Sequence, residues 1–262
     1  MASIQTDLSA TLTGSPLNAP IQGKVAVVIG GAGAIGSAIA TALSKGGATV
    51  AIADASPSSS EVWSRIHNMT GGKGRSIKVD LTDSHEIESC FQAVHDEFGA
   101  ADIMVHAAGI YVRKGLLEMS AEDWDQTLNI NMRSFFLCTK AAVQQMMPKG
   151  EGRIIGITSG MGVSGRARSS SYSASKAAMI VFAKSIALEL ANTGITINCI
   201  GPGITDSPLM RNANTEEEMR QSEQKLGRPI GSPENVVGPV LYLLSEATRT
   251  VSGTTVWMRV PG

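Results

Sequence analysis

The chain has 262 residues, of which 43% are hydrophobic and 17% charged, so it can bury one substantial core, and we expect a single domain over residues 21–262. The formal net charge of −1, with no local run of Lys or Arg, argues against nucleic acid and favours a small molecule as the partner. Three cysteines without C-x-x-C spacing predict neither a disulfide framework nor a zinc site, and they favour a reducing, cytoplasmic compartment.

Residues 1–20 are rich in Ser, Thr and Ala and do not have the basic start and apolar stretch of a secretory signal. We expect them to form a flexible tail. No later apolar run approaches membrane-spanning length, so no membrane partner is predicted.

From Lys24 onward, short runs rich in Val, Ile and Ala alternate with longer stretches of helical period. This alternation predicts an α/β fold, a doubly wound parallel sheet with helices on both faces. The runs are nearly continuous in apolar character, as expected for strands that are buried on both sides. The predicted strands are Val25–Ile29, Thr49–Ala53, Arg75–Val79, Ile103–His106, Arg153–Thr158, Thr196–Ile200 and Thr254–Met258.

Three helix starts carry recognisable capping chemistry. Two of them have the spacing of a capping box, and in the third a serine precedes a proline that suits the first helical position. These starts are Asp83 with Glu86, Ser120 with Asp123, and Ser232 with Pro233.

The first predicted strand runs directly into a glycine-rich segment, Gly30–Gly36, and then into a helical stretch. Small residues stand where the backbone turns sharply, and the N–H groups of the following helix can face a pyrophosphate. This pattern is typical of a Rossmann-like dinucleotide site, with Gly30, Gly33, Ile35 and Gly36 as candidate contacts. The alternative is a glycine-rich turn that binds no ligand.

Asp54 follows the second predicted strand, eighteen positions after Gly36, where a carboxylate can accept both ribose hydroxyls of an adenosine. It would repel a 2′-phosphate, and the following Ala55-Ser56 offers no cation to neutralise one, so NAD is favoured over NADP. The alternative is a solvated carboxylate at a strand end. Asp80 and Leu81 are expected beside the adenine, although Asp80 could equally be a turn residue.

Tyr172 and Lys176 stand four residues apart in a helical stretch, so both project from one face. A nearby ammonium and the nicotinamide cation of a bound dinucleotide both favour phenolate, and together they are expected to move the pKa of the phenol from about 10 toward the working range. Ser159 ends the predicted strand that begins at Arg153, and ligands bind at the carboxyl ends of such strands. Taken alone, a Tyr-x-x-x-Lys match is more often a pair of surface residues without a catalytic role.

Together, the glycine loop, Asp54, Asn131, Ser159, Tyr172 and Lys176 resemble the short-chain dehydrogenase/reductase (SDR) family over nearly all of residues 21–262. The resemblance implies that Tyr172 is the general acid/base, and that Lys176 lowers its pKa and binds the nicotinamide ribose. It implies that Ser159 orients the substrate oxygen and that Asn131 holds a water in the proton relay.

The resemblance extends to further cofactor contacts. Ala107 and Gly109 lie in a segment similar to the Asn-Ala-Ala-Gly segment of the family, and this similarity implies that they bind the cofactor. Pro202 and Gly203 resemble the loop on the nicotinamide side, with Thr205 expected near the carboxamide.

Several positions depart from the family pattern, and three of them lie near the expected cofactor site. Ile29 replaces the usual Thr before the first glycine, Ala34 replaces the middle glycine of the loop, and His106 replaces the Asn of Asn-Ala-Ala-Gly. Either His106 replaces the link that this Asn usually makes, or the cofactor site is looser.

These features lead to the hypothesis of an NAD-dependent oxidoreductase that moves a hydride between nicotinamide and a secondary alcohol or carbonyl compound, cyclic or apolar compounds included. The alternative is a catalytically silent dinucleotide-binding redox sensor or scaffold. The four histidines show no metal-ligand spacing, so no metal is predicted.

Substrate identity is expected to reside in the segments Tyr111–Gly115, Gly160–Ser171 and Ser207–Arg228. Arg166 and Arg168 could meet an anionic substrate, or they could simply be solvated. A homotetramer or homodimer is expected, built on the helices that contain Asn131–Met147 and Tyr172–Leu190, which carry apolar residues on more than one face.

Overall fold

A computed structural model of the chain describes residues 20–227 and 229–258. Seven strands form one parallel sheet in the order β3-β2-β1-β4-β5-β6-β7. The strands are β1 Val25–Ile29, β2 Thr49–Asp54, β3 Gly74–Lys78, β4 Ile103–His106, β5 Glu151–Ile157, β6 Gly194–Gly201 and β7 Thr255–Trp257. The predicted tail, apart from Pro20, lies outside the described residues.

Ten α-helices connect or flank these strands in the described chain. They are α1 Ala34–Lys45, α2 Ser59–Thr70, α3 Ser84–Phe98, α4 Ala121–Leu128, α5 Ser134–Met146, α6 Met161–Ser164, α7 Ser170–Glu189, α8 Pro208–Ala213, α9 Glu216–Leu226 and α10 Val237–Leu244.

The strand order puts the topological switch point between β1 and β4, where the chain stops building the sheet in one direction and starts in the other. All strand pairs are parallel, so the carboxyl ends of the strands share one edge, and ligands bind at such an edge beside the switch point. Ile29 and His106, the last residues of β1 and β4, are direct neighbours there.

The sheet is buried on both faces, as the nearly continuous apolar runs predict. Along β1, Val27 and Ile29 pack into one core with Phe91 of α3 and Phe135 of α5. Ala26 and Val28 point the opposite way, into a second core with Ile39 and Leu43 of α1. Alternate residues of one strand thus feed two cores, which confirms the doubly wound α/β architecture.

The capping predictions hold with one difference. Asp83 caps α3 by accepting from the backbone N–H groups of His85 and Glu86, at 2.8 and 3.3 Å. The Glu86 carboxylate, however, accepts from the backbone N–H of Asp80, at 2.7 Å, and so fixes the loop before the helix.

The other two predicted helix starts also carry capping contacts. Ser120 and Asp123 form a reciprocal capping box at the start of α4. Pro233 opens a short 3₁₀ turn over residues 233–236 that leads into α10, and Asn235 accepts from the backbone N–H of Ser232 at 2.8 Å.

The helix expected to contain Asn131–Met147 is divided. A π-helical turn, Asn129–Arg133, separates α4 from α5. Such single π-helical turns inside helices are rare and frequent at functional sites, and the sequence analysis did not predict this one. Asn131 lies in this turn, and its side chain reaches Ile110 in the loop after β4 and Ser175 of α7.

Candidate active site

The sequence-predicted site residues converge on one cleft along the carboxyl edge of the sheet. The cleft has two parts, which share Gly33 and Ala107–Gly109. The part beside β2 and β3 is lined by the predicted residues Gly30, Asp54, Asp80 and Leu81. The part beside β5 and β6 is lined by the predicted residues Ile35, Gly36, Ser159, Tyr172, Lys176, Pro202, Gly203 and Thr205. Asn131 lies behind this lining and is fully buried.

The turn between β1 and α1 requires its glycines. Gly30 has a φ of +75°, and a Cβ at this position would lie 2.5 Å from the backbone nitrogen of Ala108. A Cβ at Gly36 would collide with the carbonyl oxygen of Gly30. α1 begins directly at Ala34, so the methyl group that replaces the family's glycine stands at a helical position.

The N-terminus of α1 fits a phosphate group. Gly33 occupies the N-cap without a side chain to cap the helix, and the first turn carries no acidic residue. The first N–H groups of a helix have no partner within the helix, and together with the positive end of the helix dipole they bind anions. The residues present therefore fit the pyrophosphate of a dinucleotide.

Asp54 is held in a fixed orientation at the end of β2. Its two carboxylate oxygens accept from the backbone N–H groups of Ala32 and Ser56, both at 2.9 Å. Each oxygen keeps a further lone pair, so the carboxylate can still accept hydroxyl groups from a ligand. No cation follows Asp54 in this turn, which contains Ala55 and Ser56.

Asp80 lies in the cleft lining and also forms a turn. It lines the β2–β3 part of the cleft beside Leu81. It also closes a turn, because one carboxylate oxygen accepts from the backbone N–H and the hydroxyl of Thr82, each at 2.8 Å, and these bonds lower the pKa of Asp80.

Tyr172 lies in the first turn of α7 and is only 7% exposed. Burial raises the pKa of its phenol to about 12, and the Ser159 hydroxyl beside it opposes this increase. The pKa shift set by the protein groups is thus upward, whereas the downward shift expected from the sequence counted a nicotinamide cation together with Lys176. Desolvation of the charged form is the largest cause of this upward shift.

Lys176 lies one helical turn beyond Tyr172 and is also buried. Its Nζ donates to the carbonyl oxygen of Ile157 at 2.8 Å and lies 5.7 Å from the centre of the Tyr172 ring. Burial lowers the pKa of Lys176 to about 8. Near neutral pH the site thus presents a neutral phenol that can donate a proton, with an ammonium group beside it.

Ser159 stands just beyond β5, in the same part of the cleft as Tyr172. Its Oγ accepts from the backbone N–H of Met161 at 3.2 Å, which leaves the hydroxyl proton for another acceptor.

Asn131 connects the loop after β4 to α7, the helix that carries Tyr172 and Lys176. Its Oδ1 accepts from the N–H of Ile110 at 2.8 Å, and its Nδ2 donates to the carbonyl oxygen of Ile110 at 3.0 Å and to Ser175 Oγ at 2.9 Å. Ser175 in turn donates to the carbonyl oxygen of Tyr172 at 2.7 Å. Both amide protons of Asn131 are used in protein contacts, and through Ser175 they connect the loop after β4 to the backbone of Tyr172.

His106 makes a different link from the one the family's Asn was expected to make to a neighbouring strand. Its Nε2 lies 2.8 Å from Ser134 Oγ, and Ser134 donates to the carbonyl oxygen of Ile130 at 2.5 Å. Since the hydroxyl proton is used there, Nε2 must be the donor. Burial lowers the pKa of His106 to about 3, so this histidine is neutral near pH 7 and joins β4 to the π-helical turn.

Two side chains of the predicted substrate loop have partners that sequence spacing could not reveal. The Tyr111 ring packs against Tyr172 with 4.6 Å between ring centres, and Arg113 binds Glu218 of α9 through two hydrogen bonds of 2.8 and 2.6 Å. Their partners are 61 and 105 positions further along the chain. The only local signal was the position of the loop after β4, at the carboxyl edge.

The two arginines considered for an anionic substrate are engaged within the protein. Arg166 donates to Asn214 Oδ1 at 2.8 Å, and Arg168 pairs with Glu118 at 2.7 Å. Both contacts hold loops around the cleft together.

No group of three His, Cys, Asp or Glu side chains within residues 20–227 and 229–258 is arranged to hold a metal ion. Over the same residues, no helix combines the length and the apolar character needed to cross a bilayer.

Comparison with known proteins gives a consistent result. The family model described as Enoyl-(Acyl carrier protein) reductase matches residues 30–258. The chain is 34% identical over 235 residues to the 3-oxoacyl-(acyl-carrier-protein) reductase FabG of Vibrio cholerae, covering 90% of this chain and 95% of that protein. The FabG protein of Aquifex aeolicus is 35% identical over 235 residues, which cover 89% and 94% of the two chains.

Among solved structures, a variant of actinorhodin polyketide ketoreductase with NADPH matches with a TM-score of 0.84 and 28% identity, over 90% of this chain and 95% of that one. The family match, the sheet topology and the site geometry agree. The chain therefore belongs to the short-chain dehydrogenase/reductase family, whose members are oxidoreductases that act on hydroxyl or carbonyl groups with a nicotinamide dinucleotide.

Proposed function

We propose that this protein transfers a hydride between NAD(H) and a small carbonyl compound or its secondary alcohol, with Tyr172 as the general acid/base. The observation that carries the proposal is the buried pair of Tyr172 and Lys176 at the carboxyl edge of the sheet, beside Ser159. The relatives are named as a 3-oxoacyl reductase and a ketoreductase, which favours carbonyl reduction.

The proton chemistry follows from the states of these groups. A bound nicotinamide supplies the hydride in one direction and accepts it in the other. A phenol with a pKa of about 12 is protonated near pH 7, so Tyr172 is suited to donate a proton to a carbonyl oxygen. Ser159 has a hydroxyl proton with which to orient that oxygen, and the Lys176 ammonium stabilises the phenolate that remains. Asn131 is proposed to hold a water of the proton relay, and its bond to Ser175 supports the helix that carries these groups.

The cofactor residues divide along the cleft. Asp54 would accept the hydroxyls of the adenosine ribose, beside Asp80 and Leu81. The pyrophosphate would face Gly30, Gly33, Ile35 and Gly36. The nicotinamide half would lie along Ala107, Gly109, Tyr172, Lys176, Pro202, Gly203 and Thr205.

NAD is proposed over NADP because the Asp54 carboxylate would repel a 2′-phosphate at close range, with no cation in its turn. The ketoreductase structure contains NADPH, so cofactor preference needs a direct test in this chain.

The substrate is proposed to be uncharged and apolar near the reacting carbon, and cyclic ketones and alcohols are included. Pro208, Leu209 and Met210 line the cleft beside Tyr172. The arginines of the surrounding loops, Arg166 and Arg168, already have protein partners.

The proposal also includes a homotetramer or homodimer and a cytoplasmic location. Apolar side chains exposed on α5 and α7 support self-association. Three unpaired, buried cysteines suit a reducing compartment.

An absorbance screen tests the proposed activity. NADH and NADPH oxidation would be followed with ketones, cyclic ketones and sugars, and the reverse reaction with the corresponding alcohols. We expect turnover with at least one carbonyl compound and a loss of about 10²- to 10⁴-fold in kcat for Tyr172→Phe, with little change in cofactor Kd. Tyr242→Phe on α10 is the control for removing a tyrosine hydroxyl, and it should keep the wild-type rate.

The second candidate is a catalytically silent dinucleotide-binding sensor or scaffold. It would bind cofactor tightly but give no turnover with any compound of the screen. If Tyr172→Phe kept the wild-type rate on a verified substrate, the assignment of Tyr172 would be wrong.

A further inference from the structure

Tyr111 makes two contacts with the start of α7, the helix that carries the proposed catalytic residues Tyr172 and Lys176. Its ring packs against the Tyr172 ring at 4.6 Å between centres and an interplanar angle of 36°. Its hydroxyl lies 2.6 Å from Oγ of Ser169, the residue immediately before α7. Aromatic pairs prefer tilted or offset arrangements of this kind over a flat sandwich.

The hydrogen bond to Ser169 has a defined direction. Ser169 is fully buried and donates its only hydroxyl proton to the carbonyl oxygen of Ala167 at 3.3 Å. The Tyr111 hydroxyl must therefore be the donor in the bond to Ser169. Serine at an N-cap usually accepts from the first N–H groups of its helix, but Ser169 makes no such bond here. Its hydroxyl serves Tyr111 instead.

The backbone on both sides of Tyr111 is anchored. Asn131 holds both backbone groups of Ile110, the preceding residue, at 2.8 and 3.0 Å. Two residues further on, Arg113 makes its paired bond to Glu218. The position of Tyr111 is thus fixed by contacts of its neighbours as well as by its own contacts with Ser169 and Tyr172.

We propose that Tyr111 is a positioning residue, which fixes the ring of Tyr172 in the cleft and covers it from solvent. The inference rests on the proposed function only where it assigns proton transfer to Tyr172. Its physical basis is that a reacting group displaced by about 1 Å can lose on the order of 100-fold in rate. A ring held by both stacking and a hydrogen bond resists such a displacement.

Three variants separate the two contacts. Tyr111→Phe and Ser169→Ala remove the same hydrogen bond and leave the rings in contact, whereas Tyr111→Leu removes the ring. We expect the first two to lower kcat by a similar small factor, and their combination to lower it no further than Ser169→Ala alone, because both variants remove the bond between Tyr111 and Ser169 and only Ser169→Ala also removes the bond to Ala167. Tyr111→Leu should lower kcat by about 10- to 100-fold with little change in cofactor Kd.

The pH profile distinguishes a positioning role from a merely structural one. The titratable groups recorded beside the Tyr172 ring in the described chain are Lys176 on the same helix and Tyr111 itself. Water admitted by Tyr111→Leu would relieve the desolvation that raises the pKa of Tyr172. In the direction of alcohol oxidation, the rise of kcat with pH should therefore begin at lower pH in Tyr111→Leu, and it should be unchanged in Tyr111→Phe.

A second readout does not depend on turnover. The chain has three tyrosines, at positions 111, 172 and 242, so nitration by tetranitromethane can be assigned by peptide mass spectrometry. We expect Tyr242, which is exposed, to be nitrated in every variant, and Tyr172 only in Tyr111→Leu. Circular dichroism would establish that Tyr111→Leu is folded, and Tyr111→Phe restores the ring.

The inference is overturned if Tyr172 stays protected from nitration in folded Tyr111→Leu, or if this variant and Tyr111→Phe lose the same fraction of kcat. A wild-type protein that turns over no compound of the screen would count against the proposed function alone, and the nitration pattern would still decide the role of Tyr111.

Discussion

At the scale of single residues, burial shifts the pKa values of Tyr172 and Lys176 in directions that their spacing did not predict. Four residues of separation correctly placed Tyr172 and Lys176 on one helical face. Their burial depends on packing against β5 and the loop after β4, which are distant in sequence. Desolvation then disfavours both charged forms, so the pKa of the phenol rises while the pKa of the ammonium falls.

This shift predicts a pH limit for carbonyl reduction. As pH rises through about 8, Lys176 loses its proton and its charge no longer stabilises the phenolate that forms when Tyr172 donates. We expect kcat for reduction to be constant below this pH and to fall above it, as measured from initial rates at saturating cofactor. Lys176→Met should abolish this pH dependence together with most of the activity, whereas Lys140→Met, on the exposed face of α5, should keep the wild-type profile. A rate that stays flat to pH 10 would contradict the assignment.

The prediction on cofactor preference concerns the charge of Asp54. We expect NAD to bind more tightly than NADP, since the 2′-phosphate would face a carboxylate held by Ala32 and Ser56. Asp54→Ala should narrow the ratio of the two Kd values by about tenfold or more, equivalent to roughly 1.4 kcal/mol, in fluorescence titrations. Asp54→Asn keeps one acceptor oxygen without the charge, so it should relieve the repulsion and retain more of the affinity for NAD. Equal affinity of the wild-type protein for both cofactors would count against this role.

At the scale of elements, local patterns predicted the sheet well and the helix breaks poorly. The bounds of β1 and β4 match the predictions, β2 differs by one residue at its end only, and the other strands differ by one or two residues at each end. Continuous apolar runs between turn residues define such strands locally. The π-helical turn around Asn131 and the link from His106 to Ser134 involve contacts between separate elements. The spacing of apolar residues within one element did not predict either of them.

The position of α8 and α9 over the cleft depends on one paired contact. Arg113 binds Glu218 through two hydrogen bonds and also donates to the carbonyl oxygen of Ala213 at 3.1 Å, so it holds the end of α8 and the start of α9. The arginine and its capping-box bonds lower the pKa of Glu218 to about 2, so this pair persists at neutral and mildly acidic pH.

Breaking this contact is expected to affect substrate binding more than cofactor binding, because α8 lines the substrate side of the cleft. Arg113→Met and Glu218→Gln should each raise the substrate KM by about tenfold, since both remove a charged, two-point hydrogen bond. Glu217→Gln is the matched control on the same helix, because Glu217 pairs only with exposed neighbours, Arg220 and Gln221. A similar KM for Glu217→Gln and Glu218→Gln would show that this contact does not order the cleft.

At the scale of the whole molecule, the two helices that buttress the active site also expose apolar side chains. Phe136 of α5 is 43% exposed and contacts Phe182 of α7 edge-on, with 6.2 Å between ring centres. On α7, Val181 is 61% exposed. The opposite side of α7 buries Tyr172 and Lys176, so a partner seated on this face would rest directly against the catalytic helix.

The exposed apolar face of α5 and α7 leads to a prediction about the oligomeric state. We expect light scattering at micromolar concentration to give a dimer or a tetramer, because contiguous exposed apolar surface on adjacent helices marks interaction sites. Phe136→Asp combined with Val181→Asp would place two charges in the contact and should yield monomers. Met69→Asp introduces a charge at an exposed apolar position of α2 and should leave the assembly intact. A wild-type protein that is monomeric at this concentration would refute the prediction. If the double variant is monomeric and also loses kcat while still binding cofactor, the partner subunit helps to hold α7, and the geometry of Tyr172 then depends on assembly as well as on Tyr111.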